Sequence, residues 1–313
     1  MQVVIQLAIL VVGFVLLMKG ADFFVEGASK IADKFGIPQL VIGLTIVAMG
    51  TSLPEAAVSI SAATKGSAEI TIGNVLGSNI MNILLILGIT AVIRAIPVQK
   101  STVRYEIPFV ILVTAVLAGT GLADHQVSRI EGVILWVFFI VYFIYLLKMA
   151  KQGNPAAAEE EKPEKELPIW LLILMVIGGA AMIVVGSDLA VDAATKLATI
   201  FGMSERLIGL TIVAFGTSLP ELVTSATAAV KGKSDIAVGN IVGSNIFNIL
   251  FVTGTTALIT PVAYSADFLV DSVAAMAAAV LLLICVLPRK RLNRLGGAVM
   301  LAGYAAYFVY LIR

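Results

Sequence analysis

Cysteine and histidine, the residues from which most transition-metal and thiol sites are built, occur once each in this 313-residue chain, as Cys285 and His125. A lone cysteine excludes an internal disulfide and a cysteine metal cluster. A lone histidine, expected in a loop outside the membrane, leaves Ser52 or Ser218 without the general base a hydrolase needs. Charge is scarce too: Lys, Arg, Asp and Glu make up 13% of residues and the net charge is +1. No basic, aromatic-interleaved surface suited to nucleic acid is visible. Apolar residues fill the space, at 59% with a mean hydropathy of +1.03. No ordinary soluble domain has that composition, so an all-α integral membrane protein is expected.

Apolar runs of spanning length predict helices near 3–20, 38–63, 70–93, 105–121 and 130–149, then 168–190, 205–229, 236–259, 266–287 and 294–311. That makes ten transmembrane helices in two sets of five, 1–150 and 168–313. Residues 1–17 lack a basic start and a small-residue cleavage site, and read as a retained first helix. Between the sets, 151–167 carries Pro155, Pro163 and the run Glu159, Glu160, Glu161, Lys162, and reads as an acidic cytoplasmic linker without calcium-loop spacing.

The two sets are copies. Residues 36–93 overlay 202–259 at an offset of 166 with 33 of 58 positions identical. Five spans per copy is an odd number, so the second copy must enter the membrane inverted, with helices 2 and 7 as counterparts. With both termini outside, the cytoplasmic loops hold fifteen Lys and Arg and the outer loops five. This is the asymmetry the positive-inside rule requires, and it predicts a multi-pass membrane protein with both termini outside.

Identity concentrates in GTSLPE, at Gly50–Glu55 and Gly216–Glu221, and in GNxxGSNIxN, at Gly73–Asn82 and Gly239–Asn248. Glu55 and Glu221 fall near the middle of their spans, where an acidic residue costs roughly 2.5 to 3.5 kcal/mol unless water, protons or cations compensate. Pro54 and Pro220 offer no N–H and clash with the carbonyls of Gly50 and Gly216. Helices 2 and 7 are therefore expected to break there, which is tolerated at membrane depth only where protein or a wet cavity takes the freed carbonyls.

Thr51 and Ser52 precede Glu55 by four and three residues, as Thr217 and Ser218 precede Glu221, so each set shares a helical face with its carboxylate. Ser78 and Asn82, and Ser244 and Asn248, form a second stripe in each copy. Gly73, Gly77, Gly239 and Gly243 should let these helices approach closely. The resulting ligand set is all oxygen, without thiol or imidazole, which selects hard cations, calcium above magnesium. Two negative charges balance one divalent or two monovalent ions, a natural basis for exchange.

These paired GTSLPE and GNxxGSNIxN segments resemble the alpha repeats of the sodium/calcium exchanger family, within the calcium/cation antiporters, over nearly the whole chain. The resemblance implies a secondary antiporter, not an enzyme, that exchanges sodium for calcium by alternating access, with helices 1 and 6 sliding as a gating pair. It implies no cofactor beyond the transported ions and no partner beyond those ions and the lipid bilayer. Glu55 and Glu221 would be the central carboxylates, ringed by Thr51, Ser52, Ser78, Thr217, Ser218 and Ser244, with carbonyls of Ala48 and Ala214. Asn82 and Asn248 add amide oxygens. Some relatives carry aspartate at the position of Asn248, so asparagine in both halves leans toward potassium independence. A proton-coupled calcium or other divalent-cation antiporter is the alternative, separable by a sodium requirement.

Overall fold

The computed structural model describes residues 2–65, 68, 70–152, 167–202 and 214–311. In chain order its helices are α1 (Gln2–Phe35), α2 (Gln39–Thr51), α3 (Leu53–Thr64), α4 (Ile70–Ile93), α5 (Thr102–Asp124), α6 (Arg129–Lys151) and α7 (Ile169–Ile200), followed by α8 (Ala214–Thr217), α9 (Leu219–Val230), α10 (Ser234–Ile259), α11 (Phe268–Val286) and α12 (Arg294–Leu311). Among the described residues, eight helices are long and apolar enough to cross a membrane, or nine if α2 and α3, bent by 47° at their junction, count as one broken span. The protein is a multi-pass, mostly helical membrane protein. The expected linker at 151–167 and the first part of the seventh expected helix lie largely outside the described residues.

Two helices outrun their expected lengths. The first was expected over 3–20 but α1 runs to Phe35, and the sixth, expected over 168–190, runs as α7 to Ile200. Hydropathy ends a span at its first charges, whereas a helix continues through charges that are paired. Lys30 Nζ donates to Glu26 Oε1 at 2.7 Å, and Lys196 Nζ to Asp192 Oδ2 at 2.6 Å. Such i, i+4 pairs support a helix beyond the apolar stretch.

Close packing orders the bundle. α1 and α7 cross antiparallel through glycines: a Cβ on Gly20 would lie 2.8 Å from the Gly179 carbonyl oxygen, and one on Gly186 would lie 2.7 Å from that of Gly13. On α10, a Cβ on Gly239 would sit 2.9 Å from Gly43 Cα and one on Gly243 2.8 Å from Leu44 Cα, so α10 lies directly on α2. This is the expected close approach for the second copy. The counterparts of those neighbours for Gly73 and Gly77 fall in or beside 203–214, at the edge of the described residues.

Four short strands were not anticipated. β1 (Ile96–Pro97) pairs antiparallel with β4 (Arg291–Leu292), and β2 (Gln126–Val127) with β3 (Val262–Ala263). Each ribbon joins a loop of one copy to a loop of the other. Two-residue strands leave no hydrophobic alternation for sequence to reveal.

Candidate ion-binding site

Each carboxylate is placed by a helix break. Ser52, with φ −85° and ψ 9°, separates α2 from α3, and Ser218, with φ −92° and ψ 3°, separates α8 from α9. Proline stands second in the new helix, where its missing N–H costs nothing, and Glu55 or Glu221 follows within the first turn. That turn carries unpaired N–H groups and the positive end of the helix dipole, which favours a carboxylate. Both glutamates are fully buried.

The break also redirects the serines. Spacing placed each serine on the face of its own glutamate, but the bend turns the hydroxyl across to the other copy. Ser52 Oγ donates to Glu221 Oε1 at 2.9 Å, and Ser218 Oγ to Glu55 Oε1 at 3.4 Å. Ser244 Oγ lies 3.5 Å from Glu221 Oε1 and 3.3 Å from the Ala48 carbonyl oxygen. Ser78 occupies the matching place beside Glu55. The Thr51 hydroxyl lies 3.3 Å from that same Ala48 oxygen and 2.9 Å from Asn240 Oδ1. Thr217 is half-buried, and Ala214 opens the short α8, with its side chain outside the described residues.

Asparagines lock the two glycine-rich helices. Asn79 Nδ2 donates to the Asn245 carbonyl and Asn245 Nδ2 to the Asn79 carbonyl, both at 3.1 Å. Asn82 Nδ2 reaches Asn245 Oδ1 at 3.0 Å, and Asn248 Nδ2 reaches Asn79 Oδ1 at 3.2 Å. This pairing runs α4 and α10 antiparallel. Asn82 lies in, and Asn248 opens, a π-helical stretch, Met81–Leu87 and Asn248–Thr253, a local widening often found at functional sites.

With the amide nitrogens spent on one another, the oxygens remain. Glu55 Oε2, Glu221 Oε2, Asn82 Oδ1 and Asn248 Oδ1 are all buried without a hydrogen-bond donor among the described residues. A buried acceptor left unsatisfied costs about 1–3 kcal/mol, and more when charged. These four oxygens, related in pairs by the repeat, are of the hard type that cations such as calcium favour. Among the described residues no cluster of three or more His, Cys, Asp or Glu exists, so neutral oxygens must complete any coordination shell.

Two residues went unassigned in the sequence. Asn74 Nδ2 donates to the Glu55 carbonyl at 3.1 Å and to Ser59 Oγ at 2.9 Å, while Asn240 Nδ2 donates to Ser225 Oγ at 2.9 Å and lies 3.5 Å from the Glu221 carbonyl. They tie each carboxylate helix to its neighbour from behind. Their signal was present, because Asn74, Ser59, Asn240 and Ser225 all survive the duplication.

Comparison with known proteins identifies the family. The family model described as sodium/calcium exchanger protein matches residues 5–148 and 171–313. The chain belongs to the sodium/calcium exchanger family. As a member it is a transmembrane cation antiporter and not an enzyme. It is 44% identical to the putative antiporter CaxA of Alkalimonas amylolytica over 95% of both chains, and 39% identical to inner membrane protein YrbG of Escherichia coli over 97% of this chain and 96% of that one. The solved structure of the sodium-calcium exchanger NCX_Mj soaked with zero Na+ and Ca2+ superposes with a TM-score of 0.85 at 33% identity, covering 99% of each chain.

Proposed function

We propose that this family member exchanges sodium for calcium across the plasma membrane by alternating access around one central site, extruding calcium electrogenically at the expense of the sodium gradient. The observation that carries the reading is the set of four buried, donor-less oxygens around Glu55 and Glu221, bridged from opposite copies by Ser52 and Ser218. The ligands are the two carboxylates with Thr51, Ser52, Ser78, Asn82, Thr217, Ser218, Ser244 and Asn248, and the carbonyls of Ala48 and Ala214. Calcium and sodium compete for these two negative charges, so each excludes the other, and electrogenic exchange requires more than two sodium ions to move for each calcium ion.

The framework of this proposal is ten helices in two inverted repeats, 1–150 and 168–313, around the linker 151–167. The antiparallel crossings of α1 with α7 and of α4 with α10 are what inversion produces. Both termini lie outside, by the distribution of Lys and Arg in the loops.

Radioactive calcium uptake into proteoliposomes loaded with sodium, with potassium, or with a proton gradient tests the assignment. Uptake that requires internal sodium supports it. Uptake driven by protons alone replaces it with a proton-coupled divalent antiporter using the same carboxylates.

A further inference from the structure

We propose that a cavity of about 530 Å³ at the junction of α4 and α12 binds the phosphate headgroup of an anionic phospholipid. Three arginines, Arg94, Arg291 and Arg294, are among its seven lining residues, and no lining residue is acidic. The cavity also takes in Asn293, whose Oδ1 accepts from the Gly296 N–H at 2.8 Å and so caps the 18-residue α12. Other N–H groups of that first turn have no intrahelical acceptor, and the helix dipole adds positive potential. The β1–β4 ribbon fixes the arrangement: Pro97 pairs with Arg291, and the Val98 N–H donates to the Lys290 carbonyl at 2.8 Å.

Neither Arg291 nor Arg294 has a side-chain hydrogen bond or ion pair among the described residues. Arg94 is half committed. Its Nη1 donates to the carbonyls of Ala229 and Val230, at 3.2 and 2.8 Å, and its other N–H groups stay available, since a guanidinium has five. Three clustered positive charges without a counter-ion repel one another, and an anion relieves that repulsion.

The surroundings favour a lipid over a soluble anion. The cavity lies where the apolar helices ending at Ile93 and starting at Arg294 leave the membrane, on the face that the Lys and Arg distribution assigns to the cytoplasm. Its rim is apolar and exposed, with Ile93 at 48% and Leu295 at 73% of full accessibility. Phosphate would meet the arginines while acyl chains lie along these side chains. Basic pockets between spans at this depth suit anionic headgroups.

Arg94 gives the site a route to the transport machinery. The carbonyls it holds end α9, the helix that begins two residues before Glu221, so headgroup and helix end share one guanidinium. Binding itself stands apart from the exchange reading and is tested without it.

The full-length protein in detergent is titrated with phosphatidylglycerol or phosphatidylcholine and read by native mass spectrometry, beside R291Q/R294Q and the charge-retaining R291K/R294K. Each arginine near an anionic headgroup is worth about fivefold in affinity. The expected result is one retained phosphatidylglycerol, bound about thirtyfold more weakly by R291Q/R294Q, preferred over phosphatidylcholine, and not displaced by excess inorganic phosphate. R291K/R294K keeps the preference. Equal binding of the two lipids, wild-type affinity in R291Q/R294Q, or a Lys variant no better than the Gln variant overturns the proposal. Displacement by inorganic phosphate overturns it in favour of a soluble-anion site.

Discussion

Ser52, at the break of one copy's helix, donates its hydroxyl proton to Glu221 of the other copy at 2.9 Å, whereas the reverse bond, Ser218 to Glu55, is 3.4 Å long. Each carboxylate is thus oriented by the opposite repeat, and the site exists only where the two meet. The inequality predicts unequal variants. A hydrogen bond to a charged group contributes about 1.5–3 kcal/mol, so Ser52→Ala should raise the calcium concentration for half-maximal uptake at least tenfold, and Ser218→Ala by less. Equal effects would show that the two bonds become alike when the ion binds.

Asn240 supports the Glu221 helix through Ser225 and the Glu221 carbonyl. Asn240→Ala leaves Ser225 Oγ without its donor and leaves Thr51 Oγ1 only its longer contacts to the Val47 and Ala48 carbonyls. Loss of buried partners costs about 1–3 kcal/mol. A fall in melting temperature by several degrees with exchange still sodium-dependent is the expected outcome, measured by thermal unfolding in detergent and by flux. A variant as stable as wild type would remove Asn240 from the framework.

Gly186 and Gly178, both on α7, provide a matched pair with opposite consequences. A Cβ on Gly186 would meet the Leu17 nitrogen and the Gly13 oxygen at 2.7 Å, while one on Gly178 meets nothing described within 4 Å. Gly186→Ala should therefore destabilise by about 1–3 kcal/mol through overpacking. Gly178→Ala should be neutral or stabilising by up to about 1 kcal/mol, since alanine loses less backbone entropy in a helix. Thermal unfolding of both variants checks this; an undisturbed Gly186→Ala would mean that α1 and α7 do not pack this closely.

Much of the site was legible because duplication acts as an internal comparison. Pro54 and Pro220 marked the breaks, and the serines and glutamates beside them are the residues that the two breaks bring together. Pairing across the copies was not legible: helical spacing sets Ser52 beside Glu55, and only the bend between α2 and α3 sends its hydroxyl to Glu221. Helix ends were misjudged for a different reason. The apolar run ends near residue 20, yet Glu26 and Lys30 are held together on a helix that continues to Phe35. Asn74 and Asn240 escaped assignment because their partners are a backbone carbonyl and a serine on another helix, contacts that leave no local spacing rule.

The central claim is that one calcium ion is held jointly by Glu55 and Glu221. Sodium-driven calcium uptake in proteoliposomes, measured for wild type, Glu55→Gln and Glu221→Gln with insertion verified for each, tests it most directly. The account predicts that either substitution nearly abolishes uptake while the protein inserts normally. Wild-type flux in both variants would contradict it.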